Sequence, residues 1–205
     1  EKALALHPVS RETLEKLDAY VALLLKWQPI KNLVGPSTLP VIWSRHVLDS
    51  LQILEFLPDD KIIVDLGSGA GFPGLVIAAM LANRPGACVH LVESNGRKAA
   101  FLREVIRTLN LPAEVHNCRI EDAKAELPEA IDCVTARALA SLKELLEMQA
   151  QISKKPCKSI YLKGQDIDSE LTEAAKYWNI DYEIHPSLTN SEGRILVVHA
   201  VKPKA

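Results

Sequence analysis

The chain has 205 residues, which is long enough for one substantial hydrophobic core with an appended segment. Hydrophobic residues make up 48% of the sequence and charged residues 24%, a balance typical of a globular protein and not of a disordered one. The net charge of −2 gives no general attraction to nucleic acid, so a nucleic-acid partner would require a local cluster of basic residues.

Cysteine usage and hydropathy indicate a cytoplasmic protein. Cys88, Cys118, Cys133 and Cys157 are scattered without a Cys-x-x-Cys pair, and most lie in apolar runs. We therefore expect reduced thiols, no disulfide framework and no metal site. No apolar stretch is long enough to span a bilayer, and no signal peptide opens the chain. Because the first residue is Glu1, we expect a processed or trimmed N-terminus.

Two helices are predicted before the first strand. Apolar residues at helical spacing predict a helix over 10–28, with Ser10 placed to cap it. A second helix is predicted over 39–57, with Pro40 tolerated in its first turn and Pro58 ending it.

Strands and helices alternate in the remainder of the chain. Strands are predicted at 61–66, 88–93, 113–117, 131–136, 158–163, 181–186 and 194–201, and helices at 73–83, 96–109, 142–153 and 167–178. This alternation predicts a parallel sheet with right-handed crossovers. No helical pattern separates the last two strands, so we expect them to form an antiparallel hairpin. The predicted fold is α/β and Rossmann-like: a mostly parallel seven-stranded sheet with an antiparallel last strand (residues 59–205), and an N-terminal helical extension (residues 1–58) packed on it.

A glycine cluster between the first strand and the helix after it indicates a ligand site. Residues 64–74 read VDLGSGAGFPG, and Gly67, Gly69 and Gly71 allow a sharp turn and the close approach of a ligand. Asp65 before the turn argues against a dinucleotide, whose pyrophosphate binds bare amides at a helix N-terminus. A carboxylate suits a cofactor with a positive amino group and no phosphate, as in S-adenosylmethionine.

Acidic residues after the next two strands extend the predicted cofactor site. Glu93 ends the second strand about 20 residues after the glycine cluster, where doubly wound folds place an acid for the ribose hydroxyls. Capping of the 96–109 helix, a role shared with Ser94 and Asn95, is the weaker alternative, since the glycine turn and the acid share one βαβ unit. The segment 117–122 follows the third strand, where either an adenine contact or a solvated turn capped by Asp122 is expected.

The loop after the fourth strand, 135–141, carries no signature of a reaction type. It has neither the Asn-Pro-Pro-Tyr of amine methylation nor the Pro-Cys of pyrimidine carbon methylation, and we interpret Cys157, after Pro156, as a core residue. Arg137 stands at the carboxyl end of the strand, where ligands bind in open α/β sheets and where an arginine could hold a carboxylate or a phosphate.

Several motifs together carry a family resemblance. They include Arg45-His46-Val47-Leu48-Asp49-Ser50, Gly71-Phe72-Pro73-Gly74, Arg137-Ala138 and Leu162-Lys163-Gly164. With these, the chain resembles the glucose-inhibited division protein B family of bacterial small-subunit (16S) ribosomal RNA guanine-N7 methyltransferases, which are class I S-adenosylmethionine-dependent enzymes. The resemblance implies cofactor contacts at Gly67, Phe72, Ile120, Glu121 and Arg137, and it implies that Arg119, Arg137 and Lys163 face the RNA. Together with the residue-based argument, the predicted cofactor site comprises Gly67, Gly69, Phe72, Glu93, Ile120, Glu121 and Arg137.

The predicted second helix carries three polar residues close together: His46 lies one position after Arg45, and Asp49 lies four positions after it. An Arg45–Asp49 pair with His46 facing the core would contribute only ~0.2–0.5 kcal/mol. We therefore favour a helix laid across the cofactor mouth that holds the target base or supports Arg137. The predicted RNA-binding residues are then Arg45, His46, Arg119, Arg137 and Lys163, with Arg97 and Lys98 as further candidates for a basic rim.

The absence of a reaction-type motif from the loop 135–141 is compatible with methylation of guanine N7. N7 carries an in-plane lone pair and no proton, so it can attack a sulfonium methyl without a general base, and we expect no catalytic residue beyond positioning groups. The expected partner is small-subunit ribosomal RNA or an assembling subunit, and the expected state is a monomer. The alternatives are a small-molecule methyltransferase of the same fold, or a catalytically idle cofactor-binding module that docks on ribosomes.

Overall fold

A computed structural model describes residues 9–204, so the expectation about the N-terminus lies outside the described residues. The strands are β1 (Ile62–Leu66), β2 (Cys88–Val92), β3 (Ala113–His116), β4 (Cys133–Arg137), β5 (Lys158–Lys163), β6 (Trp178–Pro186) and β7 (Arg194–Pro203). The α-helices are α1 (Arg11–Lys31), α2 (Asp49–Leu51), α3 (Gly74–Met80), α4 (Gly96–Leu109), α5 (Leu142–Ile152) and α6 (Ile167–Ala174). None of them is both long enough and apolar enough to cross a membrane.

All seven strands form a single sheet in the order β3-β2-β1-β4-β5-β7-β6. The β1–β2, β1–β4, β2–β3 and β4–β5 pairs are parallel, whereas β7 runs antiparallel to both β5 and β6. This arrangement confirms the predicted mostly parallel sheet and the terminal hairpin. The carboxyl ends of β1, β2, β4 and β5 therefore meet at one edge, where loops can form a ligand site.

Helices cover both faces of the sheet. One face carries Ile63 and Leu91 and packs against α1, α3 and α4. The other face carries Val64 and Val134 and packs against α5 and α6. The predicted helix 167–178 is too long, because α6 ends at Ala174 and the chain enters β6 at Trp178, which pairs with Pro203 of β7.

Helix α1 begins where the sequence predicts and ends later. The Ser10 hydroxyl accepts a hydrogen bond from the Thr13 amide at 3.1 Å, which satisfies one of the free amides of the first turn. Pro29 lies inside the helix, and the left-handed Asn32 closes it. The Tyr20 hydroxyl donates to the Ala70 carbonyl at 2.6 Å and so ties α1 to the glycine turn.

The predicted regular helix over 39–57 is wrong. The chain instead forms an irregular helical segment over 36–56, in which a 3₁₀ turn (Pro36–Val41), π-helical turns (Trp43–Leu48), α2 and a second 3₁₀ turn (Gln52–Phe56) follow one another. Single-turn π structure is often found at functional sites, because it re-aims side chains without ending the helix. In this segment His46 contacts Arg137 and Asp49 contacts Thr189, both distant in the sequence. Helical propensity, which is local, cannot predict such contacts.

Candidate functional site

Two adjacent cavities open at the carboxyl edge of the sheet, each of about 350 Å³. The first, here called the glycine-turn pocket, is lined by residues that include Gly67, Gly69, Glu93, Arg119, Ile120, Glu121, Leu139 and Met148. The second, here called the Arg137 pocket, is lined by residues that include Arg45, His46, Asp49, Arg137, Lys163, Glu170 and Arg194. Ala138 lines both, so two ligands bound there would be neighbours.

The glycine turn brings bare backbone to the wall of the first pocket. Gly67 and Gly69 have φ of +62° and +57°, a left-handed conformation that glycine adopts without steric cost. A Cβ on Gly67 would lie 2.5 Å from a methyl carbon of Leu139, which is closer than real contacts allow. The turn therefore requires glycine for its conformation at both positions, and a Cβ at Gly67 would also force the Leu139 side chain to move.

Glu93 is fixed at the floor of the glycine-turn pocket. One carboxylate oxygen accepts from the Gly69 amide at 2.8 Å and the other accepts from the Asn95 amide at 2.7 Å. The cap of α4 is Asn95, whose side chain accepts from the Arg97 and Lys98 amides, so the alternative role of Glu93 as a helix cap does not match the structure. Each carboxylate oxygen has a second lone pair, with which Glu93 can accept hydroxyl groups of a ligand.

The segment after β3 forms the opposite wall. Arg119 precedes a 3₁₀ turn (Ile120–Ala125), and Ile120 and Glu121 line the pocket from the start of that turn. Asp122 is not its cap, contrary to one alternative above. Arg119 is exposed and lines the glycine-turn pocket, whereas the Arg137 pocket is lined without it.

Asp65 lies beneath the turn and lines neither pocket, which corrects the expectation that it faces a cofactor amino group. Its side chain is fully buried, one oxygen accepts from the Thr135 hydroxyl at 3.0 Å, and the other has no partner. Burial raises the pKa of Asp65 to about 6, although the nearby polar groups of Ser68, Thr135 and Gly74 act against the shift. Asp65 therefore supports the turn from inside the core.

Phe72 forms the base of an aromatic and cationic stack. The His46 ring lies parallel to it with centroids 4.9 Å apart, Tyr20 packs at 5.2 Å, and the Arg137 guanidinium carbon lies 5.3 Å from its centroid. Phe72 is buried and lines neither pocket, so it contacts the site through the two residues above it.

Arg137 is held by the irregular helical segment. Its guanidinium donates to His46 Nδ1 at 2.7 Å and to the Arg45 carbonyl at 3.1 Å, and it lies 3.4 Å from an Asp49 carboxylate oxygen. These contacts match the hypothesis that the segment supports Arg137. The Arg45 side chain is exposed at the mouth and makes no ion pair with Asp49, so the local helix pair weighed above is not formed.

His46 is a neutral acceptor. Burial, followed by the charges of Arg137 and Arg45, lowers its pKa to about 4. Its Nε2 lies 2.9 Å from the Thr38 hydroxyl, which itself donates to the Gly35 carbonyl. Nε2 therefore carries the proton, and Nδ1 offers its lone pair to Arg137.

Asp49 connects the helical segment to the β6–β7 loop, a link that sequence reasoning missed. One carboxylate oxygen accepts from the Gln52 amide at 2.8 Å and from the Thr189 hydroxyl at 2.7 Å. The Gln52 side chain also accepts from the Leu188 amide at 2.8 Å. These partners lie about 140 positions apart, and no sequence signal relates them. Arg194, at the start of β7, is a further cationic lining residue that the sequence did not single out.

Lys163 is enclosed in the structure and not presented as an open cation. Its side chain is 8% exposed, and its ammonium lies 2.6 Å from a Glu170 oxygen and donates to the Ala140 carbonyl at 2.9 Å. Glu170 also accepts from the Leu142 amide. The pair therefore fixes the loop after β4, which lies between the two pockets. Of the other rim candidates, Lys98 lines the glycine-turn pocket and Arg97 lines neither.

The family model and the curated relatives that match this chain carry the same description. The family model GidB, rRNA small subunit methyltransferase G, matches residues 13–197. A protein named ribosomal RNA small subunit methyltransferase G, from Bradyrhizobium sp. strain BTAi1, is 54% identical over 200 residues, which cover 98% of this chain and 90% of that protein.

Solved structures support the same fold at low sequence identity. A SAM-dependent methyltransferase from Aquifex aeolicus superposes with a TM-score of 0.59 at 16% identity, covering 85% of this chain and 97% of its own. An O-methyltransferase from Bacillus cereus in complex with SAH superposes with a TM-score of 0.58 at 17% sequence identity. The match covers 95% of this chain and 93% of that protein.

Proposed function

The chain belongs to the GidB family of rRNA small subunit methyltransferases G, and from this premise we propose that it transfers a methyl group from S-adenosylmethionine to N7 of a guanosine in small-subunit ribosomal RNA. The observation that carries the proposal is the pair of adjacent pockets that share Ala138. One pocket offers bare glycine backbone and the fixed Glu93 carboxylate, and the other offers a supported arginine. A methyl transfer needs a cofactor site and a base site side by side, and this geometry meets that need.

The residues of the glycine-turn pocket fit the cofactor. The side-chain-free wall at Gly67 and Gly69 would admit the methionine end, and the Glu93 carboxylate would accept the two ribose hydroxyls. Ile120 would face the adenine ring and Glu121 its exocyclic amine. When bound, S-adenosylmethionine supplies an electrophilic methyl group on a positively charged sulfur. Arg137 would approach the cofactor from the Arg137 pocket, and Phe72 would support it from beneath.

The Arg137 pocket suits a reaction without a general base. His46 is the lining residue whose ordinary pKa lies nearest neutrality, yet it is held neutral with both ring nitrogens in hydrogen bonds. Guanine N7 has no proton to remove, so the protein needs only to orient the base and exclude water. Orientation of two reactants can supply up to ~7–11 kcal/mol of barrier reduction. The target base would have to leave its stack to enter a pocket of this kind.

Exposed cations at the two mouths would bind the RNA backbone. Arg45 borders the Arg137 pocket and Arg119 borders the glycine-turn pocket, and both side chains are exposed. Phosphate contacts of this kind position a nucleic acid without reading its sequence. We include in the proposal a cytoplasmic monomer with an N-terminal segment, 1–58, and a methyltransferase domain, 59–205, on which the described part of that segment packs.

The test is a transfer assay with three acceptors. The protein is incubated with S-adenosylmethionine labelled in its methyl group and with small ribosomal subunits, protein-free ribosomal RNA or a small-metabolite extract. We expect label in RNA, at a guanosine that becomes sensitive to borohydride reduction and aniline cleavage, which detect N7 methylation. Label confined to metabolites would favour the small-molecule alternative, and cofactor binding without transfer would favour the idle module.

A further inference from the structure

A second cluster of reactive side chains lies on the sheet, apart from both pockets. Cys88 and His90 stand two positions apart on β2 and therefore point to the same face. The neighbouring strand β3 runs parallel in a register that places Glu114 beside His90 and His116 beside Val92. A Cys-x-His pair and a Glu-x-His pair thus share one face of two adjacent strands, and none of the four residues lines either pocket.

The donor atoms of three of these residues are close enough to share one ion. A ligand atom from each of Cys88, His90 and Glu114 lies within 4.8 Å of the other two. The His90 ring and the Glu114 side chain are neighbours, with His90 Nδ1 3.7 Å from a carboxylate oxygen. Ligands bound at ~2.0–2.3 Å around a tetrahedral zinc ion are separated by roughly 3.3–3.8 Å, so small side-chain adjustments suffice. A thiol, an imidazole and a carboxylate form a donor set that suits borderline divalent metals.

Hydrogen bonds around the cluster prepare His90 for this role. Glu126 lies 3.2 Å from His116 Nδ1, and His116 Nε2 lies 2.9 Å from His90 Nδ1. His116 Nδ1–H donates to the Glu126 carboxylate, so His116 Nε2 accepts from His90 Nδ1–H. The lone pair of neutral His90 is then on Nε2, so Nε2 is the atom that would bind the ion, and Nδ1 remains hydrogen-bonded to His116. Outer partners that fix an imidazole tautomer in this way are regular features of metal sites.

The four residues differ in burial, and the cluster is open to solvent on one side. His90 and His116 are 6% and 4% exposed, whereas Cys88 is half-buried and Glu114 is exposed. An ion can therefore enter from the side of Glu114 and meet an imidazole that is already oriented. β3 is one of the two edge strands of the sheet, so an ion bridging Glu114 to β2 would tie this edge to its neighbour.

We propose that Cys88, His90 and Glu114 bind one divalent transition-metal ion of the zinc class, with water completing the tetrahedron, and that the ion braces strand β3. The site is structural and independent of the proposed methyl transfer. Sequence spacing did not suggest it, because the donors come from two strands and only the sheet register brings them together.

Cobalt(II) is the probe of choice, because a thiolate ligand gives it a charge-transfer band in the near ultraviolet and tetrahedral geometry gives it intense visible bands. The full chain is stripped with a chelator, dialysed and titrated with Co²⁺, and then with Zn²⁺ in competition. We expect one equivalent bound, both sets of bands, displacement by zinc, and a higher thermal unfolding midpoint with zinc.

Conservative variants decide whether the three residues are the ligands. Cys88→Ser should abolish the thiolate band, and Glu114→Gln, at an exposed position, should weaken affinity at least ~10-fold. Cys157→Ser and Glu129→Gln are matched controls outside the cluster and should bind as the unaltered chain does. The proposal is overturned if the cobalt spectrum lacks a thiolate band, or if Cys88→Ser and Glu114→Gln bind zinc as tightly as their controls.

Discussion

Arg137 donates a hydrogen bond of 2.7 Å to His46 Nδ1, although the two residues lie 91 positions apart in the sequence. The contact joins the carboxyl end of β4 to the irregular helical segment over 36–56, and Phe72 lies against both side chains. Because His46 is neutral, it orients the guanidinium without cancelling its charge. Arg137 thus reaches the second pocket as a positioned cation.

The state of His46 can be tested by its titration. We expect the His46 ring to titrate near pH 4 in NMR spectra, well below the ordinary value of about 6.5, with burial as the main cause and Arg137 as the second. Arg137→Gln should raise this pKa part of the way, since burial remains. A His46 resonance that titrates near 6.5 in the unaltered protein would contradict the assignment.

The same shift predicts a pH dependence of stability. The folded pKa of His46 is depressed, so the unfolded chain takes up the proton first as the pH falls below about 6.5. The contribution of His46 is fully present above that pH and is lost between about pH 6.5 and pH 4. His46→Gln should therefore show a shallower fall of unfolding free energy over this window in denaturant titrations. An equal slope in both proteins would show that other groups dominate.

Glu93 should control cofactor affinity through its charge. Glu93→Gln preserves size but removes the carboxylate that faces the glycine-turn pocket, and hydrogen bonds to a charged group contribute about 1.5–3 kcal/mol. Calorimetry should show S-adenosylmethionine binding weakened by ~10–100-fold, with an unchanged circular dichroism spectrum. The control is Glu104→Gln, on α4 and outside both pockets. Unchanged affinity in Glu93→Gln would remove Glu93 from the cofactor site.

Lys163 should matter for stability more than for RNA charge. Lys163→Met leaves the Glu170 carboxylate without its partner at a largely buried position, and breaking such a pair costs about 3–5 kcal/mol. The double variant Lys163→Met/Glu170→Gln should be less destabilised than Lys163→Met alone in urea unfolding. Removing the exposed Lys176–Glu173 pair should change stability far less. Equal losses in the single and double variants would indicate that the pair is not coupled.

Arg119 and Arg45 should carry the salt dependence of RNA binding. Each is exposed at a pocket mouth, so Arg119→Gln or Arg45→Gln should lower the slope of log affinity against log salt by about 1 if the residue contacts one phosphate. Arg11→Gln, on α1 away from both pockets, is the control. The enclosed Lys163 should leave the slope unchanged in a folded variant. If Lys163→Met lowers the slope and Arg119→Gln does not, the RNA path crosses the end of β5 instead.

From β1 onward, the sequence by itself determined the succession of strands and helices along the chain, the terminal hairpin, the glycine turn and the place of Glu93 after β2. These features follow from hydrophobic periodicity, capping residues and glycine backbone freedom, which act over a few neighbouring residues. For this reason the predicted cap at Ser10 and the predicted helix over 96–109 agree with the observed helices α1 and α4.

Only the tertiary structure decided how the polar residues are used. It placed Asp65 beneath the turn, paired Lys163 with Glu170, joined Asp49 to Thr189 and wound the segment 36–56 irregularly around His46. The reason is physical: the burial, charge state and partner of a polar side chain depend on groups that approach it from distant parts of the chain. Local sequence patterns contain no information on those approaches until the sheet and its loops are assembled.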